Sequence, residues 1–154
     1  MGTVMLWQEF LPNRTQVLHQ QRELTLLSMC IWGEARGNGN LAQQAVGFVV
    51  RNRVRSRREQ FGSGWRDVLL KPYQFSAFNQ ESGFREEMFK PLEHDSEQIW
   101  RSCFGGALIA YEGLYEDLSR TALFYYSGTR VPYWALAMEE TLRLKDFVFL
   151  TDGK

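Results

Sequence analysis

The carboxylate of Glu34 lies where a predicted apolar helix runs into a glycine-rich turn. The apolar residues before it recur at helical spacing: Leu24, Leu27 and Ile31. Residues 37–40, Gly-Asn-Gly-Asn, are a strong turn signal. A carboxylate at the end of a helix faces the negative end of the helix dipole, and the neighbouring Trp32 would desolvate it. Both effects favour the protonated form, which a general acid working near neutral pH requires.

Arg36 has the opposite effect on Glu34, so the local pattern leaves two interpretations open. One is a general acid; the other is an ordinary solvated carboxylate at a helix end.

Two polar residues, Asn52 and Arg53, fall on the apolar side of a second predicted helix, residues 41–57. A buried amide or guanidinium must find partners, because an unsatisfied buried group costs about 1–3 kcal/mol. They either bond nearby backbone carbonyls or a carboxylate, or they orient the site of the acid. The stretch 46–50 within this helix could alternatively form a buried strand.

An aromatic and amide-rich loop follows at residues 71–79 and contains Gln74 and Ser76. Such loops can line a sugar site, since rings stack on sugars and amides bond their hydroxyls. The alternative is that Phe75 and Phe78 only anchor a long loop to the core.

The run of arginines at residues 51–58 is the one strongly basic stretch. The chain has 18 Lys and Arg residues and 18 Asp and Glu residues, so its formal net charge is zero. No aromatic residues alternate with the arginines. We therefore expect a solvated helix end and no nucleic-acid partner. Cys30 and Cys103 are predicted to be buried free thiols. The two histidines, His19 and His94, have no second ligand at metal-binding spacing, so we expect no metal.

The 154 residues are predicted to form a single α+β domain, residues 1–154, that is mostly helical, with residues 1–14 as a lead-in. The predicted helices cover 15–33, 41–57, 96–113 and 133–144, with a helical turn near 65–70. Strands at 121–126 and 145–150 are predicted to pair antiparallel near the C-terminus. The expected N-caps are Thr15, Asn40 and Asp95. No signal peptide or membrane span is recognisable, so we expect a chain made in the cytoplasm without a stable membrane anchor.

Four ordered blocks resemble the SleB/CwlJ family of cell-wall hydrolases, over about residues 24–150. They are the Trp-Gly-Glu-Ala-Arg-Gly block at 32–37, the stretch 43–54, Gln-Phe-Ser at 74–76, and a closing part at 123–126, 132–134 and 147–149. The chain departs from the family at Asn38, where an acid or proline is common, and at 80–95, which has no counterpart.

The resemblance implies a lysozyme-like or lytic-transglycosylase-like domain that cleaves peptidoglycan glycan strands, with Glu34 as the catalytic acid and no metal or cofactor. The implied reaction is lytic transglycosylation between MurNAc and GlcNAc, which leaves a 1,6-anhydro end. Gln74, Ser76 and Tyr125 or Tyr126 are expected to position the sugar, and Asn52 and Arg53 to support the site.

A bare catalytic domain without an export signal further resembles a phage endolysin, which a holin releases to the periplasmic wall. We expect it to act as a monomer.

Other functions stay open from the residues alone. A hydrolytic muramidase or glucosaminidase would need a second carboxylate, for which Glu81, Glu112 and Asp117 are candidates. A wall-binding module without catalysis would need no acid at a helix end. A nucleic-acid-binding protein would use the arginines of residues 51–58.

Overall fold

The computed structural model describes residues 6–72, 74, 75, 78 and 85–154. Its helices are α1 Glu23–Ala35, α2 Asn40–Ser56, α3 Gly64–Leu70, α4 Arg85–Met88, α5 Pro91–His94 and α6 Glu97–Glu112. Its strands are β1 Phe124–Ser127, β2 Glu139–Arg143 and β3 Phe147–Thr151. Single 3-10 turns cover Trp7–Phe10, Leu18–Gln20 and Tyr133–Ala135. The predicted α+β class, mostly helical with a small antiparallel sheet near the C-terminus, is confirmed.

The core forms around α1, which is buried along nearly its whole length and packs against α2 and α6. Helices α2 and α6 approach closely because glycines face each other across their contact. A Cβ atom added at Gly47 would lie 2.9 Å from the Cβ of Ala110, and one at Gly106 would lie 3.4 Å from the backbone of Gln43. The neighbouring Gly105 does not take part in this contact, because no atom lies within 4 Å of a Cβ added there.

The sheet has the order β1-β3-β2, and β3 pairs antiparallel with both neighbours. Its central strand is buried on both faces. One face carries Phe147 and Phe149 against the helices, and the other carries Val148 and Leu150 against Ala135. The predicted pairing of the strand near 121–126 with the last strand is confirmed, with Tyr125 opposite Phe149.

The predicted helix at 133–144 is wrong. A 3-10 turn at Tyr133–Ala135 is followed by β2, which runs beside β3 with Leu142 opposite Phe149. The periodicity of a short apolar pattern does not distinguish a helix from a strand. Here residues 139–143 form a strand because they pair with the edge of β3 that β1 leaves open. A register shift between Glu140 and Leu142 also interrupts the two-residue alternation that would have marked a strand.

Helix α1 begins at Glu23, later than the predicted residue 15. The buried Gln21 prevents an earlier start, because its amide bonds the backbone of the loop at Asn13 and Gln16. Thr15 is therefore not an N-cap, and the Asn13 side chain accepts from its backbone nitrogen instead.

Two other predicted caps are displaced by one residue. Gly39, with φ of 87°, is the N-cap of α2 in place of Asn40. Ser96 replaces Asp95 as the N-cap of α6, and its Oγ accepts from the Ile99 nitrogen. Helix α2 itself is confirmed over the alternative strand at 46–50. Cys30 and Cys103 are buried free thiols, as predicted.

Candidate active site

Glu34 lies in the last turn of α1 and is half-buried. The helix ends there because the chain enters the turn that leads to Gly39 and α2. Arg36, just beyond the helix, extends over the Trp32 ring at 4.1 Å and forms an ion pair with Asp95 at 3.1 Å. The Arg36–Asp95 ion pair therefore ties the end of α1, which carries the acid, to the residues just before α6.

Tyr125, at the centre of β1, donates a hydrogen bond from its hydroxyl to Oε1 of Glu34 at 2.8 Å. Its ring lies 5.8 Å from that of Phe147 and 5.7 Å from that of Phe149, so the sheet fixes its position. Burial raises the pKa of Tyr125 well above its ordinary value, and the charge of Glu34 raises it further. The phenol is therefore protonated throughout the physiological range, and it is the donor in this bond.

Arg53 is 6% exposed and links α2 to the residues around Tyr125. Its Nε donates to the Leu123 carbonyl at 2.8 Å, and its Nη1 donates to Oε1 of Gln74 at 3.2 Å. Three rings surround the guanidinium at 4.7 to 5.7 Å: Phe61, Phe75 and Phe124. Burial lowers the pKa of Arg53, and Tyr125, Cys30 and Glu34 oppose that effect. A guanidinium still keeps its proton in such a place, so Arg53 supplies a buried positive charge near the acid.

Asn52 stabilises the chain that leads into β1. Its Nδ2 donates to Oδ2 of Asp117 at 2.8 Å and to the Ala122 carbonyl at 3.0 Å. Asp117 in turn accepts from Ser119 and from the Thr121 nitrogen. For Asn52 the sequence left two interpretations open, and the contacts favour the one in which it bonds a backbone carbonyl and a carboxylate.

Of the residues predicted to position the sugar, the structure brings Gln74 and Tyr125 together with Glu34 and Arg53. Ser76 lies outside the described residues. Tyr126 follows Tyr125 in β1, and successive strand residues face opposite sides. It therefore packs on the other face of the sheet, where its ring meets that of Trp134 edge-on at 6.2 Å.

Sequence reasoning did not identify Phe147 and Phe149 as the neighbours of Tyr125. Their two-residue spacing was a usable signal, because it places both rings on one face of β3, opposite the centre of the paired strand. The same alternation in β1 could have separated Tyr125 from Tyr126.

The two described candidates for a second carboxylate have other surroundings. Glu112 is the exposed last residue of α6 and lines a cavity with Glu23, at the start of α1. At 1.5 Å per residue, Glu23 is about 16 Å along the helix from Glu34. That exceeds the roughly 6.5–9.5 Å between the carboxylates of inverting glycosidases. Asp117 is committed to the bonds described above, and Glu81 lies outside the described residues.

Within the part of the chain that the structure describes, no group of three or more His, Cys, Asp and Glu side chains could hold a metal ion. In the same residues, no helix is both long and apolar enough to cross a membrane.

The sequence model of the Cell Wall Hydrolase family matches residues 37–150, and the chain belongs to that family. It is accordingly a peptidoglycan-degrading enzyme. The match begins three residues after Glu34, so the assignment of the acid depends on the block at 32–37 and on the geometry above. No curated protein matches the chain significantly.

The fold is similar to two solved structures. One is the catalytic domain of the germination-specific lytic transglycosylase SleB from Bacillus anthracis, with a TM-score of 0.62 and 21% identity over 91% of this chain and 99% of that one. The other is the catalytic domain of the Bacillus cereus SleB protein, with a TM-score of 0.59 and 18% identity over 91% of this chain and 95% of that one. The predicted resemblance to SleB is thus confirmed for the fold.

Proposed function

We propose that the chain cleaves the bond between MurNAc and GlcNAc as a lytic transglycosylase, with Glu34 as its single acid and base. The observation that carries the proposal is the 2.8 Å hydrogen bond from the Tyr125 hydroxyl to Oε1 of Glu34. It fixes the position of one oxygen of a half-buried carboxylate at a helix end. The lytic-transglycosylase activity named for the B. anthracis SleB domain supports the choice of reaction.

In the first step, protonated Glu34 donates its proton to the glycosidic oxygen, and the bond from that oxygen to C1 of MurNAc breaks. The carbonyl of the substrate's own N-acetyl group stabilises the positive charge that develops at C1. In the second step, ionised Glu34 accepts the proton of the 6-hydroxyl of the same sugar, and that oxygen bonds to C1. The product is a 1,6-anhydro end, and no water enters the product.

The surroundings of Glu34 support the second step, in which it acts as a base. A general acid must be protonated first and must then exist briefly as a carboxylate in a partly buried place. The Tyr125 donor and the buried charge of Arg53 both stabilise that carboxylate. Arg53 also binds Gln74, so the same guanidinium positions a residue that we assign to the sugar site. Roles for Ser76 and Tyr126 in binding sugar stay predictions, as do release by a holin and action as a monomer.

One acid is sufficient for this reaction, and the described alternatives to it are poorly placed. Hydrolysis with inversion or retention would require a second carboxylate within about 5–10 Å of Glu34. Asp117 accepts hydrogen bonds from Asn52, Ser119 and Thr121. Glu112, at the end of α6, lines a cavity with Glu23, which is at the opposite end of α1 from Glu34.

The test of the acid is Glu34→Gln, with Glu112→Gln as a matched control. We expect Glu34→Gln to keep the wild-type circular dichroism spectrum and to lose at least about 1000-fold in the rate of clearing of purified sacculi, because an amide cannot donate the proton. Glu112→Gln should clear sacculi at the wild-type rate. A Glu34→Gln variant that keeps more than a tenth of the wild-type rate would contradict the assignment.

A further inference from the structure

The arginines at the end of α2 form a basic surface that the proposed reaction does not use. Arg51 and Arg55 are spaced by four residues, which places them on one side of α2. Arg58 follows two residues after the helix ends and lines a cavity together with both. Arg53 is two residues, or about 200°, from both Arg51 and Arg55, so it is directed to the opposite side, toward Glu34. The basic surface therefore lies behind the candidate active site.

Two adjoining cavities open on this surface, with volumes of about 610 and 960 Å³. Arg55 and Arg58 line both cavities, so the two adjoin at these side chains, and we refer to the pair of cavities as the depression. The cations that line the depression are Arg51, Arg55, Arg57, Arg58 and Lys154. Asp117 and Glu59 are the acidic residues among the described lining. Each volume falls within the range of about 300–1000 Å³ that is typical of ligand sites.

Two of these arginines are held by the fold. Nη1 of Arg51 donates to the carbonyls of Ala110 and Tyr111 at the end of α6, at 3.2 Å each. Arg58 makes a bidentate ion pair with Asp152, at 2.7 and 3.1 Å. These contacts position the two guanidinium groups as rigid sides of the depression.

The other two arginines, Arg55 and Arg57, are exposed to solvent. Among the residues that the structure describes, no carboxylate lies within 4 Å of Arg55 or Arg57. Arg57 is the C-cap of α2, in the left-handed conformation with φ of 56°. Both arginines offset the negative end of the α2 dipole, and each still presents unpaired N–H donors to solvent. On a chain whose formal net charge is zero, the depression concentrates positive charge in one place.

We propose that this depression binds carboxylates of the peptides attached to peptidoglycan, while a glycan strand occupies the site at Glu34. Guanidinium groups bind carboxylates through paired N–H donors. Ser56 and Thr121 add hydroxyl groups to the lining, which suit the polar backbone of a short acidic peptide. The proposal depends on the proposed function, because only a wall substrate supplies such peptides next to the glycan that is cut.

The position behind the active site has a consequence for the substrate. A peptide on the strand being cut would have to pass around α2 to reach the depression. A peptide of a neighbouring strand in crosslinked wall reaches it directly. The depression therefore favours crosslinked wall over isolated glycan chains.

The test measures binding to purified sacculi in a Glu34→Gln background, so that the substrate stays intact. Arg55→Gln with Arg57→Gln removes the two exposed charges. Arg14→Gln with Arg101→Gln removes two exposed charges from other surfaces and serves as the control. Binding is compared on intact sacculi, on sacculi stripped of teichoic acid, and on glycan freed of its peptides by an amidase.

We expect the Arg55/Arg57 pair to weaken binding to intact and to stripped sacculi by about tenfold, and the control pair to leave it unchanged. Glycan without peptides should bind the parent and the Arg55/Arg57 variant equally. Two results would overturn the proposal: equal loss of binding in both variant pairs, or a loss that disappears when teichoic acid is removed. A failure of the proposed function would appear in a different measurement, because sacculi treated with wild-type protein would then contain no cut glycan.

Discussion

The hydrogen bond from Tyr125 to Glu34 gives the sharpest test of how the site works. Tyr125→Phe removes only the hydroxyl, because the ring stays between Phe147 and Phe149. A hydrogen bond contributes about 0.5–1.5 kcal/mol, and about 1.5–3 kcal/mol where its acceptor is charged. The unfolding free energy should therefore fall by about 0.5–3 kcal/mol, and by the larger amount at a pH where Glu34 is ionised. Urea denaturation followed by circular dichroism measures this loss.

The same change should move the pH dependence of the reaction. Without the donor, the ionised form of Glu34 is less stable relative to the protonated form. The acid then keeps its proton to higher pH, so the alkaline limb of kcat/KM should shift upward. Ionised Tyr125 cannot account for that limb in the wild type, because burial and the charge of Glu34 raise the pKa of Tyr125 well above 10. The maximal kcat should fall, since the carboxylate that acts as base in the second step has lost its support.

The chain contains a matched control for this variant. Tyr111 donates to Oε1 of Glu23 at 2.8 Å, which is the same bond at the other end of α1. Tyr111→Phe should lower stability without moving the alkaline limb. If Tyr125→Phe leaves the pH profile where it is in the wild type, or if both variants shift it equally, the bond does not tune the acid.

Two further predictions follow from the packing and from the thiols. Gly47→Ala should destabilise the fold by about 1–3 kcal/mol, because the new Cβ lies 2.9 Å from that of Ala110. Gly105→Ala should stabilise the fold by about 0.5–1 kcal/mol, because no atom lies within 4 Å of the new Cβ. Equal effects of the two variants in urea denaturation would contradict the packing of α2 on α6. Burial raises the pKa of Cys30 well above its ordinary value and that of Cys103 to about 12. Neither thiol should therefore be alkylated by iodoacetamide at pH 8 until denaturant is added. Mass spectrometry that finds native protein modified at either residue would contradict their burial.

The sequence predicted best the helices whose apolar pattern is long. Helix α2 lies within about a residue of its predicted bounds, and α6 likewise, since periodicity over four turns outweighs local alternatives. The start of α1 was missed because the amide of Gln21 bonds loop backbone, a contact that no local pattern reveals. Strand β2 was missed because its partner, β3, follows it in the chain and its own residues carry little alternation.

The candidate site was predictable in part. Glu34, Arg53, Gln74 and Tyr125 were all selected from the sequence, and the structure brings their side chains into one network. The roles of Tyr125 and Arg53 were not predictable in detail. Which tyrosine of the pair faces the acid depends on the register of β1 with β3, and that register is a tertiary property.

The measurement that tests the central claim most directly is mass analysis of the saccharide ends made from purified sacculi by wild-type protein. A single acid and base at Glu34 predicts muropeptides that end in 1,6-anhydro-MurNAc, each lighter by one water than the product of hydrolysis. Reducing ends in their place would show that water attacks the sugar, and would contradict catalysis by Glu34 alone.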